Sequence, residues 1–111
     1  MPISEEDYEA RAHPELQALV DALDQLDVPG LECELSSDIL TIELSGGARY
    51  VINSHRAARQ IWMAAEHSAW HFDWDATKNS WIAQKTGAEL WSALSTVLTT
   101  KLQRPITLKR P

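Results

Sequence analysis

The sequence predicts an α+β fold, in which an N-terminal and a C-terminal helix pack on one face of a mostly antiparallel sheet of about six strands. Apolar residues recur at helical spacing at both ends of the chain, and between these ends they alternate with polar residues at the period of two typical of half-buried strands. Two amphipathic helices can bury their apolar stripes on one sheet only if both lie on the same side. We therefore expect a two-layer α/β sandwich, formed by a single domain over residues 1–111.

The first helix is predicted to begin after Ser4, because three acidic residues follow this N-cap candidate. A proline within the pattern, Pro14, removes a backbone hydrogen bond, so we expect either a kink near His13 or two helical pieces. The segment Val28-Pro29-Gly30 is expected to stop the helix. The apolar stripe consists of Tyr8, Ala12, Leu16, Leu19, Leu23 and Leu26.

Strand patterns fill the middle of the chain. Residues 31–35 and 40–44 alternate around a Ser36-Ser37-Asp38 turn and predict a hairpin, and Gly46-Gly47 forms the next turn. Residues 49–53 and 60–64 alternate in the same way, and shorter strands are expected near residues 70–73 and 81–84. Since no helical pattern separates these segments, neighbouring strands are expected to be antiparallel.

The C-terminal helix is predicted from a capping box, Thr86-Gly87-Ala88-Glu89, which precedes an apolar stripe. Pro105 is expected to end this helix, and residues 106–108 then form an extended tail. The stripe consists of Leu90, Trp91, Leu94, Val97, Leu98 and Leu102.

Composition narrows the classes of partner. Ten Lys and Arg against sixteen Asp and Glu give a formal net charge of −6, which repels phosphate backbones and argues against nucleic acid. The single cysteine, Cys33, cannot form an internal disulfide, and it falls on the apolar phase of its strand. There is no apolar run near 18 residues, and the acidic start is unlike a targeting peptide. We expect a protein of the bacterial cytoplasm that does not bind membranes.

Trp62 is an unusual residue for the solvent-facing side of a strand. Alternation with Ile61 and Met63 places Trp62 on the same side as Asn53 and Gln60, away from the core. A large aromatic side chain among amides indicates a surface that contacts something other than water. By the same reasoning Trp70 and Trp91 are predicted to lie in the core, while phase alone does not place Trp74 or Trp81.

Acidic residues recur every three positions at the end of the first helix, at Asp21, Asp24 and Asp27. Carboxylates there oppose the helix dipole and repel one another, and Glu32 and Glu34 add to the same edge. This run is either a solvated face or a site for hard cations. His13 lies on the same helix side as Asp24, but no HxxxH, HExxH or CxxC spacing predicts a zinc site.

Several segments of the sequence, taken together, resemble a known protein family. The hairpin LECELSSDILTIEL, Asn53, the Gln60-Ile-Trp segment, the His71-Phe-Asp-Trp strand, Trp81 and the C-terminal helix together resemble the frataxin family, in its bacterial CyaY branch. The resemblance spans nearly the whole chain in order. His55 and Ala57 depart from it, because they stand where the family usually has Gln and Pro.

The resemblance implies an iron-binding protein that regulates the cysteine desulfurase and scaffold complex of iron–sulfur cluster assembly, as an iron donor or sensor. It implies weak, exchangeable binding of Fe²⁺ or Fe³⁺ on the acidic residues, and partner contact through the sheet surface around Trp62. The implied iron ligands are Asp21, Asp24, Asp27, Glu32 and Glu34, with His13 second, and the implied partner residues are Asn53, Gln60, Trp62 and His71. A monomer is expected, with oligomerisation driven by iron left open.

Two other functions remain open at the level of sequence. The protein could be a sheet-surface module that binds protein or RNA without a metal role, although the charge of −6 opposes RNA. It could also be an enzyme, with His71 or Asp73 as acid or base or with ferrous oxidation at the acidic residues. No pattern of a nucleophile with its base is present, so we expect no enzyme.

Overall fold

The computed structural model describes residues 3–109, which form two α-helices, six β-strands and one short 3₁₀ helix. The helices are α1 (Glu5–Gln25) and α2 (Leu90–Leu102), and the 3₁₀ helix spans Arg56–Ala58. The strands are β1 (Glu32–Ser36), β2 (Ile39–Glu43), β3 (Arg49–His55), β4 (Gln60–Ala65), β5 (Ser68–Asp75) and β6 (Ser80–Ala83). No helix within this range is long and apolar enough to cross a bilayer.

The six strands form one antiparallel sheet in which the spatial order is the order of the chain, β1 to β6. Short hairpin turns make this meander. Ser37 and Asp38 have φ of 50° and 65°, the left-handed pair that a two-residue hairpin requires, and this turn confirms the predicted β1–β2 hairpin. The sheet therefore has an edge at β1 and another at β6.

The core lies between one face of the sheet and the two helices, which confirms the predicted two-layer architecture. From α1 it takes Leu16 and Leu19, and from the sheet Ile52 and Ile61, all without exposed surface. The two helices also touch each other, since Trp91 Nε1 of α2 donates a 3.0 Å hydrogen bond to buried Glu15 of α1. One sheet face is thus covered by helices, and the other is free.

Helix α1 begins as predicted, with the Ser4 hydroxyl accepting from the Asp7 N–H at 3.1 Å. It then continues through Pro14 as one helix, so the expectation of two helical pieces is wrong. The helix also ends earlier than the Val28-Pro29-Gly30 segment. Its last residue is Gln25, and Asp27 has a φ of 51°, so the left-handed residue lies outside the helix.

The predicted capping box for α2 is wrong. The Thr86 hydroxyl accepts from the Ala88 N–H at 3.2 Å within a turn, and the helix begins only at Leu90. The cap is the Glu89 carboxylate, which accepts from the N–H of Trp91 at 2.7 Å and of Ser92 at 3.2 Å. Glu89 is already held beside β6 by a bridge to Ile82, so the chain cannot turn into a helix before it.

Candidate functional site

The free face of the sheet carries the aromatic residue singled out in the sequence. Asn53, Trp62 and His71 are direct cross-strand neighbours on β3, β4 and β5. The residues that flank Trp62, Ile61 and Met63, are buried on the helix side. Trp62 therefore points away from the core, as the strand period predicts.

Trp62 is held between two histidine rings. His55 stacks on one face of the indole with ring centroids 3.8 Å apart and planes 10° apart, and His71 stacks on the other at 4.3 Å and 16°. The indole Nε1 donates to Gln60 Oε1 at 2.8 Å, and Gln60 Nε2 donates to Asp73 Oδ1 at 3.0 Å. The tryptophan and the amide are thus fixed in place, and the ring presents its edge outward.

An exposed apolar side chain extends this surface. Ile39 of β2 pairs with Asn53 of β3. Its side chain is 47% exposed, and it is the only large hydrophobic residue among residues 3–109 with so much exposed surface. An isolated exposed isoleucine needs no explanation, but this one lies on the same sheet face as Trp62, separated from it by Asn53, and so adds an apolar contact to that face. We call this surface the Trp62 patch; it comprises Ile39, Asn53, His55, Gln60, Trp62 and His71.

Two members of the Trp62 patch, His55 and Ile39, were not identified as such from sequence. His55 is the last residue of β3, and its Nδ1 accepts from the Ala58 N–H at 3.3 Å. It lies two positions after Asn53, so the strand period could have placed it on this face. Ile39 carries no such signal, since a hydrophobic residue in a strand is usually assigned to the core.

The other tryptophans lie elsewhere. Trp81 is fully buried, and Trp74 packs edge-on against it at 5.6 Å, with the Arg11 guanidinium 4.5 Å above the Trp74 ring. Trp91 lies in the core as predicted. Trp70 is half-buried against the core instead of being enclosed by it. Trp62 is therefore the tryptophan of the free sheet face.

The acidic residues at the end of α1 are exposed, and two of them already accept hydrogen bonds. Asp21 accepts from Gln17 Nε2 at 3.1 Å, and Asp24 Oδ1 accepts from the Cys33 thiol at 3.2 Å. Burial, followed by the bond to Asp24, raises the pKa of Cys33 to about 12. The bond between Asp24 and Cys33 fixes the end of α1 against the edge strand β1.

Glu32 and Glu34 lie on the opposite side of that edge strand. Because side chains alternate along β1 and Cys33 faces α1, both glutamates point to the free face of the sheet. Among residues 3–109 no three His, Cys, Asp or Glu side chains converge on a common point. The acidic side chains lie on both sides of β1 and are open to solvent, so they do not form a closed metal site. We call this surface the acidic ridge; it comprises Asp21, Asp24, Asp27, Glu32 and Glu34.

His13 is not brought to the acidic ridge. Its Nδ1 lies 2.7 Å from Asp38 Oδ1, in the turn between β1 and β2. Eleven residues separate His13 from Asp24, which is about 16 Å along the helix. The common helix side that the sequence predicts does not bring the two side chains together.

Comparison with known proteins agrees with this fold. A family model described as a frataxin-like domain matches residues 1–104. The chain belongs to the frataxin family. A relative from Pseudomonas putida within the family, called iron-sulfur cluster assembly protein CyaY, is 31% identical over 93 residues, which cover 81% of this chain and 84% of that protein. Its namesake from Tolumonas auensis is 29% identical over 106 residues, covering 96% and 99%.

A solved structure gives the same fold. The frataxin from Psychromonas ingrahamii superposes with a TM-score of 0.86, over 96% of this chain and 99% of that chain. Its sequence identity is 17%, so the likeness concerns the frataxin fold alone.

Proposed function

We propose that this protein acts in iron–sulfur cluster assembly, as a binding protein that carries iron on the acidic ridge and docks the cysteine desulfurase and scaffold complex through the Trp62 patch. Its relatives named for iron–sulfur cluster assembly support the pathway. The observation that carries the docking role is the stack of Trp62 between His55 and His71 on the free face of the sheet.

The geometry of the Trp62 patch suits a small binding hot spot. Tryptophan is enriched at such spots because a large rigid ring gives much contact area for little entropy. Here the two histidines and Gln60 have already fixed the ring, so little conformational freedom is left to lose when a partner arrives. On the β3 side of Trp62, the Asn53 side chain offers polar contacts and exposed Ile39, one strand further, offers an apolar one. The patch therefore supports docking better than chemistry.

The acidic ridge suits an exchangeable cargo ion. Hard cations accept exposed carboxylate oxygens, and an open ridge lets the ion keep most of its water. Two of the carboxylates already accept hydrogen bonds, from Gln17 and Cys33, and iron would compete with these bonds. We propose a dissociation constant nearer micromolar than nanomolar, and a site from which iron can be passed on.

An anaerobic NMR titration with Fe²⁺ tests the acidic ridge. We expect the backbone signals of Asp21, Asp24 and Glu32 to broaden or shift first. Replacing Asp21, Asp24 and Asp27 with Asn should weaken iron binding, because the hard oxygen ligands lose their charge. The matched control replaces the three acids of the first helical turn, Glu5, Glu6 and Asp7, with their amides. Equal iron affinity in the two triple variants would mean that the acidic ridge is a solvated surface without a specific role in iron binding.

The substitution Trp62→Ala tests the Trp62 patch. Since Trp62 lies outside the core, unfolding should be easier by well under the ~3–5 kcal/mol of a buried Trp truncation. Binding to the desulfurase and scaffold complex, measured by calorimetry, should weaken at least about tenfold, as a hot spot requires. Asp24→Asn is the contrasting variant, and it should alter iron binding while the tryptophan contact remains. If Trp62→Ala binds the desulfurase and scaffold complex normally, the complex does not dock at the Trp62 patch.

A further inference from the structure

The second edge of the sheet is only half covered. β5 spans Ser68–Asp75, but β6 pairs only with its second half, from Phe72 to Asp75. After Ala83 the chain leaves the sheet and turns towards α2. The first half of β5, residues 68–71, therefore has β4 on one side and no strand on the other.

The hydrogen-bond pattern shows which backbone groups face this gap. The Ala83 N–H donates to the Ala88 carbonyl at 2.8 Å, away from β5, so the Phe72–Ala83 pair exchanges no backbone bonds. The bonded pair is then Asp73 with Ile82, and by alternation Ala69 and His71 direct their N–H and C=O groups to the same side as Asp73. Because the pairing with β6 begins only at Phe72, no strand within residues 3–109 lies against these groups of Ala69 and His71.

Clefts lie on both sides of this open edge. On the free face, a cleft of about 620 Å³ is lined by residues 68–71 on one wall and by Ala83 to Thr86 on the other. On the helix face, a cleft of about 510 Å³ is lined by Trp70, Tyr50 and Val97 among others. Because the turn after β6 forms the far wall, the gap suits one extended segment better than the edge of a second folded sheet.

The charges around the gap favour an acidic occupant. Residues 1–45 contain twelve acidic and one basic residue, whereas residues 46–111 contain four acidic and nine basic residues. Glu66, the acid of the helix-face cleft, is paired with Lys101 at 2.7 Å, whereas Asp73 of the free-face cleft accepts a hydrogen bond from the neutral Gln60 amide. Lys85 is exposed on the free-face cleft, with no ion pair recorded in the described part of the chain.

We propose that the open half of β5 binds an extended segment of a partner protein as an added strand, and that acidic side chains alternate with apolar ones in this segment. Strand addition supplies hydrogen bonds to Ala69 and His71, and alternate side chains reach opposite faces. The residue beside His71 would meet Lys85 on the free face. The residue beside Trp70 would enter the helix-face cleft, where the apolar side chains of Trp70 and Val97 lie among polar ones. This site adjoins the Trp62 patch and shares His71 with it, but it uses the backbone edge of β5 instead of the sheet face around Trp62.

The test is amide hydrogen exchange read by NMR, with a blocked five-residue peptide that alternates aspartate and valine. In the free protein the amides of Ala69 and His71 should exchange quickly, while that of Trp70, paired with β4, is protected. Adding the peptide should slow exchange at Ala69 and His71. The control peptide replaces each aspartate with lysine and should have little effect.

Protein variants separate the backbone and charge contributions. Ala69→Pro removes an N–H that faces only the gap, so the fold should survive and peptide binding should weaken. Lys85→Glu should weaken binding at least about threefold. Lys78→Glu, the same change in the β5–β6 turn, should not weaken it.

Three results would overturn the proposal. Protected amides at Ala69 and His71 in dilute free protein would mean that the edge is already closed. Protection that grows with protein concentration would assign the edge to a second copy of the chain. Equal binding of the aspartate and lysine peptides, or equal effects of Lys85→Glu and Lys78→Glu, would remove the acidic segment as the occupant.

Discussion

At the scale of single residues, the contact between Cys33 and Asp24 shows how a surface carboxylate can serve two purposes. The thiol donates to Asp24 Oδ1 at 3.2 Å, and burial together with this bond raises its pKa from 9.0 to about 12. The thiol therefore stays protonated near neutral pH and is a poor nucleophile. The same carboxylate is one of the proposed iron ligands.

Replacing Asp24 with Asn should lower the pKa of Cys33, because it removes a negative charge and a charged acceptor beside the thiol. Alkylation by iodoacetamide at pH 8.5 should then be faster than in the parent protein. The control is Asp21→Asn, since Asp21 bonds to Gln17 and not to the thiol. Equal alkylation rates in all three proteins would mean that burial alone protects Cys33.

The raised pKa also links Cys33 to stability at high pH. A folded-state pKa above the unfolded value means that the folded protein binds the proton more tightly. The contribution is fully present below pH 9, and it is lost as the pH rises towards 12. Cys33→Ala should therefore lose less stability over this interval than the parent protein does.

The sheet face on which a side chain lies was predictable from the sequence, but the contacts that the side chain makes were not. The period of two placed Trp62 on the free face because Ile61 and Met63 had to be buried. The stacking of His55 and His71 depends on rotamers and on strand register, and a residue pattern specifies neither. The bond between Cys33 and Asp24 joins two elements and likewise required the packed structure.

At the scale of elements, α1 shows tertiary packing overriding a local rule. Pro14 lacks the N–H of a helical hydrogen bond, a loss that costs roughly 3 kcal/mol in a helix interior. Buried residues lie on both sides of it, with Tyr8 and Ala12 before and Leu16 and Leu19 after, and all four pack in the core. Packing of both halves on the sheet thus keeps the segment helical through Pro14, an effect that the sequence rule for proline ignores.

Pro14→Ala should raise the free energy of unfolding by about 1–3 kcal/mol, because a backbone hydrogen bond is regained and Pro14 is exposed. Urea denaturation measures this change. Gln25→Ala, at the exposed end of the same helix, is the control and should shift stability by less than about 0.5 kcal/mol. A loss of stability in Pro14→Ala would mean that packing on the sheet needs the proline's geometry.

The error at α2 has a different origin. Thr86 and Glu89 have the spacing of a capping box, but the Gly87 N–H donates to the Ala83 carbonyl at 2.7 Å and closes a turn first. The helix then starts from Glu89. Antiparallel pairing of successive strands was predictable because only short turns separate them, whereas the half-covered edge of β5 depends on where β6 leaves the sheet.

At the scale of the whole molecule, strand order converts a sequence asymmetry into a spatial one. Residues 1–45 carry a net formal charge of −11 and residues 46–111 carry +5. Since the sheet runs from β1 to β6 in chain order, the acidic residues are concentrated at α1, β1 and β2, and the basic residues are spread from β3 onwards, mostly over the connecting segments. Such a separation orients the protein in the field of a charged partner before contact.

If the protein docks the desulfurase complex as proposed, salt should act on the association rate more than on the dissociation rate. Raising the ionic strength from about 0.05 M to about 0.5 M should lower the association rate roughly tenfold or more, because exposed charges are screened over a few ångströms. Stopped-flow fluorescence measures both rates.

Two variants assign the steering to one end of the molecule. Replacing Glu32 and Glu34 with Gln removes two charges at the acidic edge, and it should slow association if the partner surface is basic. Lys78→Glu also changes the net charge by two units, but in the β5–β6 turn, and should not slow association in this way. Trp62→Ala should instead speed dissociation, since short-range contacts act on that rate. The charge asymmetry would have no role in docking if the association rate did not change with salt and if replacing Glu32 and Glu34 left that rate unchanged.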